Sequence, residues 1–182
     1  MSPDPRVETS VKIRRIVESD RDALRALRLR SLATDPMSFG STFAKESAGD
    51  LAKWTNWAHL GATSLETAVL VAEQDNGNLV GMVGAYWNEN ITHLYGMWVE
   101  PGHRHLGLGG RLLDEILVWG ETVHPTSEIR LGVVPLAGSA VRLYQSRGFV
   151  PTGKVEPLPH TPSVVVHEMV WSRKKPGAPA VR

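Results

Sequence analysis

Val99–Gly110, VEPGHRHLGLGG, is the stretch on which the fold turns. An apolar run ends at Val99, Pro101 interrupts it, and four glycines fall within residues 102–110. Directly afterwards, Arg111 to Trp119 has the spacing of an amphipathic helix, with Leu112, Leu113, Ile116 and Leu117 on one face. A helix N-terminus leaves its first N–H groups without partners and carries a partial positive charge. Glycines ahead of it let the backbone come close to a ligand. Gly107, Leu108, Gly109 and Gly110 can therefore offer successive N–H groups to a phosphate or pyrophosphate, and Arg104 adds a full charge. The alternative is a tight turn that only lets strand and helix pack.

Two well-known phosphate loops are excluded by residue type. A Walker loop needs lysine and then serine or threonine after its last glycine, whereas Arg111 and Leu112 follow Gly110. A dinucleotide fingerprint needs a third glycine where Leu112 stands, and its acidic partner near the end of the next strand; Glu128 precedes that strand.

The 182 residues are expected to form one domain, residues 11–171, with loose tails at 1–10 and 172–182. A formal net charge of +1 gives no field that would select nucleic acid or a membrane as partner. There is no cysteine, which excludes disulfides, cysteine-ligated zinc and a cysteine acyl-enzyme; no metal site is expected. The N-terminal residues lack a hydrophobic signal core and no apolar run reaches membrane-spanning length, so a cytoplasmic protein is expected.

Val11–Ile16 alternates apolar and basic residues as a half-exposed strand does. Ser19–Asp22 resembles a capping box ahead of a helix that runs to about Ala33 and stops at Asp35-Pro36. Residues 37–46 read as a loop and Ser47 to His59 as a second helix. Asn76-Gly77 between two apolar runs predicts a hairpin. Strands follow at His93–Val99, 128–134 and Ser163–Trp171, with helices from the glycine loop to about Glu121 and over 139–149, the latter ending at Gly148. The order β-α-α-β-β-β-α-β-α-β-β predicts an α/β domain with helices on both faces of a mixed central sheet.

Val99-Glu100-Pro101 followed by Arg104-His105-Leu106-Gly107-Leu108-Gly109 resembles the acetyl-CoA signature of the GCN5-related N-acetyltransferase (GNAT) family, V-x-P and then R/Q-x-x-G-x-G/A. Ala140, Leu143, Tyr144, Gly148 and Phe149 resemble that family's A-x-x-L-Y-x-x-x-G-F segment. The resemblance spans about Val11 to Trp171. It implies a single-domain fold whose sheet splays between the fourth and fifth strands, with the pantetheine arm of acetyl-CoA, as cosubstrate, in the gap.

The resemblance further implies that backbone groups of Met97, Trp98 and Val99 bind that arm, and that Arg104, His105, Leu106, Gly107, Leu108 and Gly109 hold the pyrophosphate. The side chains of His103 and His105 are read as solvated neighbours. An N–H near Met97 is expected to polarise the thioester carbonyl. Tyr144 matches the acid that protonates the CoA thiolate, and a phenol with pKa ~10 can serve. His93 stands six residues before Val99, where histone-type members carry a catalytic glutamate, and is the candidate base. Tyr95 shares its face unless a bulge intervenes, and Glu73 is a further candidate. With no thiol to hold an acetyl group, transfer is expected to be direct, in a ternary complex.

Two positions depart from the family pattern. Ala137 stands where many relatives have a cofactor-contacting asparagine, and Gly132 stands where ribosomal-protein acetyltransferases use glutamate. The acceptor is expected to be a primary amine of a small molecule or peptide, met by Asp35, Met37, Phe39, Phe43, Trp54, Trp57, Tyr86 and Trp87. A degenerate module that binds acyl-CoA without transferring it is the alternative, and a homodimer is left open.

Overall fold

The computed structural model describes residues 10–135 and 138–173. Most of both expected tails, and Ala137 with its predicted departure from the cofactor asparagine, lie outside the described residues. The elements are β1 (Val11–Arg15), α1 (Arg21–Thr34), α2 (Phe43–Ser47), α3 (Leu51–Thr63), β2 (Thr67–Gln74), β3 (Leu79–Asn88), β4 (Ile91–Val99), α4 (Leu108–Val123), β5 (Glu128–Val133), α5 (Gly138–Ser146), β6 (Phe149–Leu158) and β7 (Thr161–Trp171). Single 3-10 turns occur at Glu18–Asp20, Pro36–Ser38 and Pro101–His103.

The seven strands form one sheet in the order β1-β2-β3-β4-β5-β7-β6. Every neighbouring pair is antiparallel except β4 and β5. The β2 run Ala68–Ala72 is buried throughout, because both faces of this strand are covered. Ala68, Leu70 and Ala72 face α4 residues Leu112, Leu113 and Ile116, whereas Val69 and Val71 join Leu24, Leu27 and Leu32 of α1. The two cores therefore sit on opposite sides of the sheet.

Local signals differ from expectation at three places. Asp20, rather than a Ser19–Asp22 box, accepts from the Val17 amide at 2.9 Å and from Arg14 at 2.6 and 3.0 Å, which ties the start of α1 to β1. The expected loop 37–46 contains α2, capped by Thr42 on the Lys45 amide at 3.2 Å. The helix expected over Ser47–His59 is α3, capped by Asp50 on the Ala52 amide at 3.0 Å. The predicted hairpin is formed, with Gly77 at φ +84° in its turn.

β4 and β5 pair only from Ile91–Leu94 against Glu128–Leu131 and then part. Next to this split, β4 carries a bulge: Tyr95 opposes Gly84, Trp98 opposes Met82, and the register shifts between. Gly96 takes φ +64° there, a conformation that a side chain would strain. The extra residue reverses the alternation. Leu94, Met97 and Val99 pack toward α4, while Tyr95 and Trp98 face the α1 and α3 side.

Candidate active site

A cleft of about 510 Å³ opens where β4 and β5 part. One side is lined by Gly107, Leu108, Gly109 and Gly110 at the start of α4, with Leu143 and Tyr144 of α5. The other reaches Asp35, Met37, Ser38 and Phe39 in the connection after α1. The backbone of Met97, Trp98 and Val99 borders it along β4, beyond the last β5 partner.

The glycine-rich loop has the conformation its composition predicts. His105 at φ +65° and Gly107 at φ +77° place two left-handed residues ahead of α4. The Arg111 amide bonds to the Gly107 carbonyl at 3.1 Å, and the N–H groups before it point out of the helix end. Donors in this number at a helix start, beside a cleft with an open strand edge, fit a long phosphate-bearing cosubstrate.

Arg104 lines the cleft and carries an ion pair that the sequence does not announce. Its Nε donates to the Val99 carbonyl at 2.8 Å, and its Nη2 donates to the Asp35 carboxylate. The same carboxylate oxygen accepts from Trp98 Nε1 at 2.7 Å. The guanidinium is drawn toward the end of α1 by a carboxylate, so its charge is shared with an ion pair, whereas the backbone amides at the start of α4 are unpaired within the helix. His105 lines the cleft, whereas Leu106 is 66% exposed and is not among the residues that line it.

Tyr144 is buried, lines the cleft and packs edge-to-face on Phe149 at 5.8 Å. Burial pushes its hydroxyl up to about 12, so the phenol keeps its proton throughout the neutral range.

His93 lies in the paired part of β4, opposite Arg130, and does not line the cleft. It stacks on its cross-strand neighbour Tyr86 at 4.8 Å and lines a second cavity of about 320 Å³ with Arg130, Lys154, Glu156 and Glu168. Burial lowers its pKa, opposed by Glu168 and reinforced by Arg130 and Lys154. The two cavities share Leu94, Tyr95, Leu131 and Gly132. A Cβ on Gly132 would stand 2.8 Å from Val166, so the position that carries a glutamate in some relatives has no room for one here.

Tyr95 sits at the junction. Its hydroxyl oxygen accepts from Trp57 Nε1 at 2.8 Å, and burial raises its pKa. Glu73, the other candidate base, is spoken for: Arg14 donates to both its oxygens at 2.9 Å and Lys12 stands 2.7 Å away. These partners hold its carboxyl down to about 2, which removes it as a base, and its strand position is on β2, outside both cavities.

The predicted aromatic wall separates into parts. Met37 and Phe39 line the cleft, Tyr86 lines the second cavity, and Trp57 acts through Tyr95. Trp54 is core, Phe43 is 47% exposed, and Trp87 stacks on His124 at 4.8 Å. Sequence reasoning missed Arg28, Arg130, Glu168 and His160. Each stands beside residues far along the chain: Arg28 beside Gly96, Arg130 with Glu168, and His160 Nε2 with the Phe39 carbonyl at 2.8 Å. Among the described residues no helix is long and apolar enough to cross a membrane, and no group of three or more His, Asp or Glu side chains could hold a metal ion.

Comparison with known proteins agrees with this geometry. A GNAT-family acetyltransferase from Streptococcus pneumoniae is 25% identical, with a TM-score of 0.73 over 88% of this chain and 98% of that one. The structure of yncA from Salmonella typhimurium with its cofactor acetyl-CoA is 18% identical, with a TM-score of 0.74 over 96% and 100%. The PaiA N-acetyltransferase of Thermoplasma acidophilum, in complex with coenzyme A, is 18% identical, with a TM-score of 0.65 over 87% and 98%. No curated protein matches the chain. The family model for the GNAT acetyltransferases matches residues 27–149, about two thirds of the chain and all of the cleft-forming loop, and the chain belongs to that family of acetyl-CoA-dependent acyltransferases.

Proposed function

We propose that this enzyme moves an acetyl group directly from acetyl-CoA to a primary amine of a small molecule or peptide, with both substrates bound together. The observation that carries this reading is the cleft at the parted edges of β4 and β5, which Tyr144 and the glycine-rich helix start line, next to a second cavity that holds His93 and shares Leu94, Tyr95, Leu131 and Gly132 with it. Acetyl-CoA supplies a thioester-activated acetyl group. The amides of the 104–110 loop bind its phosphates, and the parted edge of β4 receives its arm. The Met97 N–H, set by the bulge, is the donor that meets the acetyl carbonyl oxygen.

An ammonium cannot attack until it loses a proton, and His93 takes it. Its lowered pKa keeps the imidazole neutral and able to accept at physiological pH. Tyr144, neutral across that range, returns a proton to the leaving sulfur. The test is thiol release as a function of pH. His93→Gln is expected to lower kcat by about 10²- to 10⁴-fold and to remove the acidic limb of the profile. An unchanged rate and limb would exclude His93 as the base.

A further inference from the structure

Arg28 has no part in the chemistry above, yet it stands beside the reacting centre. It projects from α1 toward β4 on the Tyr95 side of the sheet. Its Nη1 is buried and has no hydrogen-bond partner among the described residues. That atom lies 3.8 Å from where a Cβ would sit on Gly96, and the guanidinium carbon lies 4.5 Å from the centre of the Phe39 ring. Gly96 and Phe39 both line the cleft. The carboxylate that acts on Arg28, Glu46, is hydrogen-bonded to Lys53 and contributes only through space. Burial accordingly lowers the pKa of Arg28, the mark of a charge lacking its counter-ion.

Tyr95 adds a second donor. Its oxygen accepts from Trp57, so its own proton is left to give. Arg28 and the Tyr95 hydroxyl are close enough to act on each other electrostatically. Both flank the bulge whose next N–H, that of Met97, meets the acetyl group in the reading above.

We propose that Arg28 and Tyr95 form a carboxylate subsite on the acceptor side of the cleft, and that the preferred acceptor is an α-amino acid. The inference rests on the proposal that this side receives the amine. In an α-amino acid the carboxylate is separated from the nitrogen by a single carbon, so an amine held at Gly96 carries its anion to the guanidinium. A planar fork suits a carboxylate, and a neutral carboxamide or a decarboxylated amine leaves the cation unpaired. A site built to hydrogen-bond a group discriminates strongly against the analogue that lacks it.

The experiment is calorimetric titration of the CoA-saturated protein with the protein amino acids, each against its primary carboxamide, run beside thiol release from acetyl-CoA. At least one amino acid is expected to bind about tenfold to hundredfold more tightly than its amide, the usual worth of a hydrogen-bonded charge. Arg28→Met is expected to bring that ratio to within about threefold while CoA affinity is kept, and Tyr95→Phe to narrow it in part. Amides that bind as well as acids, no binding by any amino acid, or a ratio that survives Arg28→Met would overturn the subsite. If Arg28→Met does not fold, Arg28→Lys and Tyr95→Phe decide, and an intact ratio in both overturns it. Arg28-dependent binding without thiol release would refute acetyl transfer and leave the subsite standing. Thiol release with amines and amides alone would do the reverse.

Discussion

Gly84→Ala tests how Tyr95 is held. A Cβ at position 84 would lie 2.3 Å from Cζ of Tyr95 and 2.6 and 2.7 Å from its two Cε atoms. Ordinary carbon contacts begin near ~3.5 Å, so the ring must lift by about 1 Å. It cannot do so freely, because Trp57 Nε1 donates to its hydroxyl at 2.8 Å and the Trp57 and Tyr86 rings stand 6.3 and 5.9 Å away. Overpacking of this kind costs about 1–3 kcal/mol. The strained or lost Trp57 hydrogen bond adds about 1 kcal/mol. The expected total is about 2–4 kcal/mol, and at roughly 2–4 °C per kcal/mol for a domain this size the Tm falls by about 4–16 °C. In a Tyr95→Ala background the obstacle is gone, and Gly84→Ala is expected to be neutral or to stabilise the strand by about 0.5 kcal/mol. Urea unfolding of the four proteins, followed by tryptophan fluorescence, gives the coupling directly. Equal costs in the two backgrounds, or a cost under ~1 kcal/mol with Tyr95 present, would refute this account of the close approach.

Two further predictions concern pH. Tyr144 holds its proton up to about 12 when folded, against an ordinary 10. Stability is therefore intact below pH 10 and is lost as pH rises toward 12, by roughly 2–3 kcal/mol. Tyr144→Phe should lack that share of the alkaline decline in urea unfolding, together with a fall in kcat at preserved acetyl-CoA affinity; an identical alkaline slope would show that burial does not act on this hydroxyl. Glu73, held down to about 2 by Arg14 and Lys12, contributes stability that is present above its ordinary value of 4.5 and lost as pH falls toward 2. Glu73→Gln should flatten that acid decline and leave kcat within about twofold, whereas a loss of the size of a missing general base would reinstate Glu73 in the chemistry.

The donor side was legible because its requirements are local. A strand end, left-handed glycine positions and a helix start follow one another in Val99–Gly110, and the backbone conformations at His105 and Gly107 match that order. The hairpin at Asn76-Gly77 was legible for the same reason. The ion pair of Arg104 was not legible because its partner, Asp35, is 69 residues away, and no local pattern marks a guanidinium beside the loop as also facing a carboxylate. The bulge was equally hidden: Tyr95-Gly96-Met97 carries the glycine, but its effect on parity depends on which β3 residue each one meets. Glu73 looked available until β1 placed Arg14 and Lys12 against it.

The acceptor side resisted reading for a deeper reason, which is that no one segment makes it. Residues 35–39 line the cleft and are fastened at both ends. Asp35 joins Arg104 of the donor loop and Trp98 of β4, while the Phe39 carbonyl accepts from His160 Nε2 at 2.8 Å, in the turn between β6 and β7. A carbonyl only accepts, so Nε2 carries a proton, and Nδ1 is free to accept from the Thr161 hydroxyl 3.0 Å away. The clasp thus needs no charge on the imidazole. Phe39 in turn lies against Arg28, and Asp35 shares its carboxylate between the two sides of the cleft. The wall proposed to meet the amine is therefore registered against the loop proposed to bind the phosphates through a single carboxylate. A change in the acceptor segment should be felt in acetyl-CoA affinity as well as in acceptor choice, because the same side chain sets both.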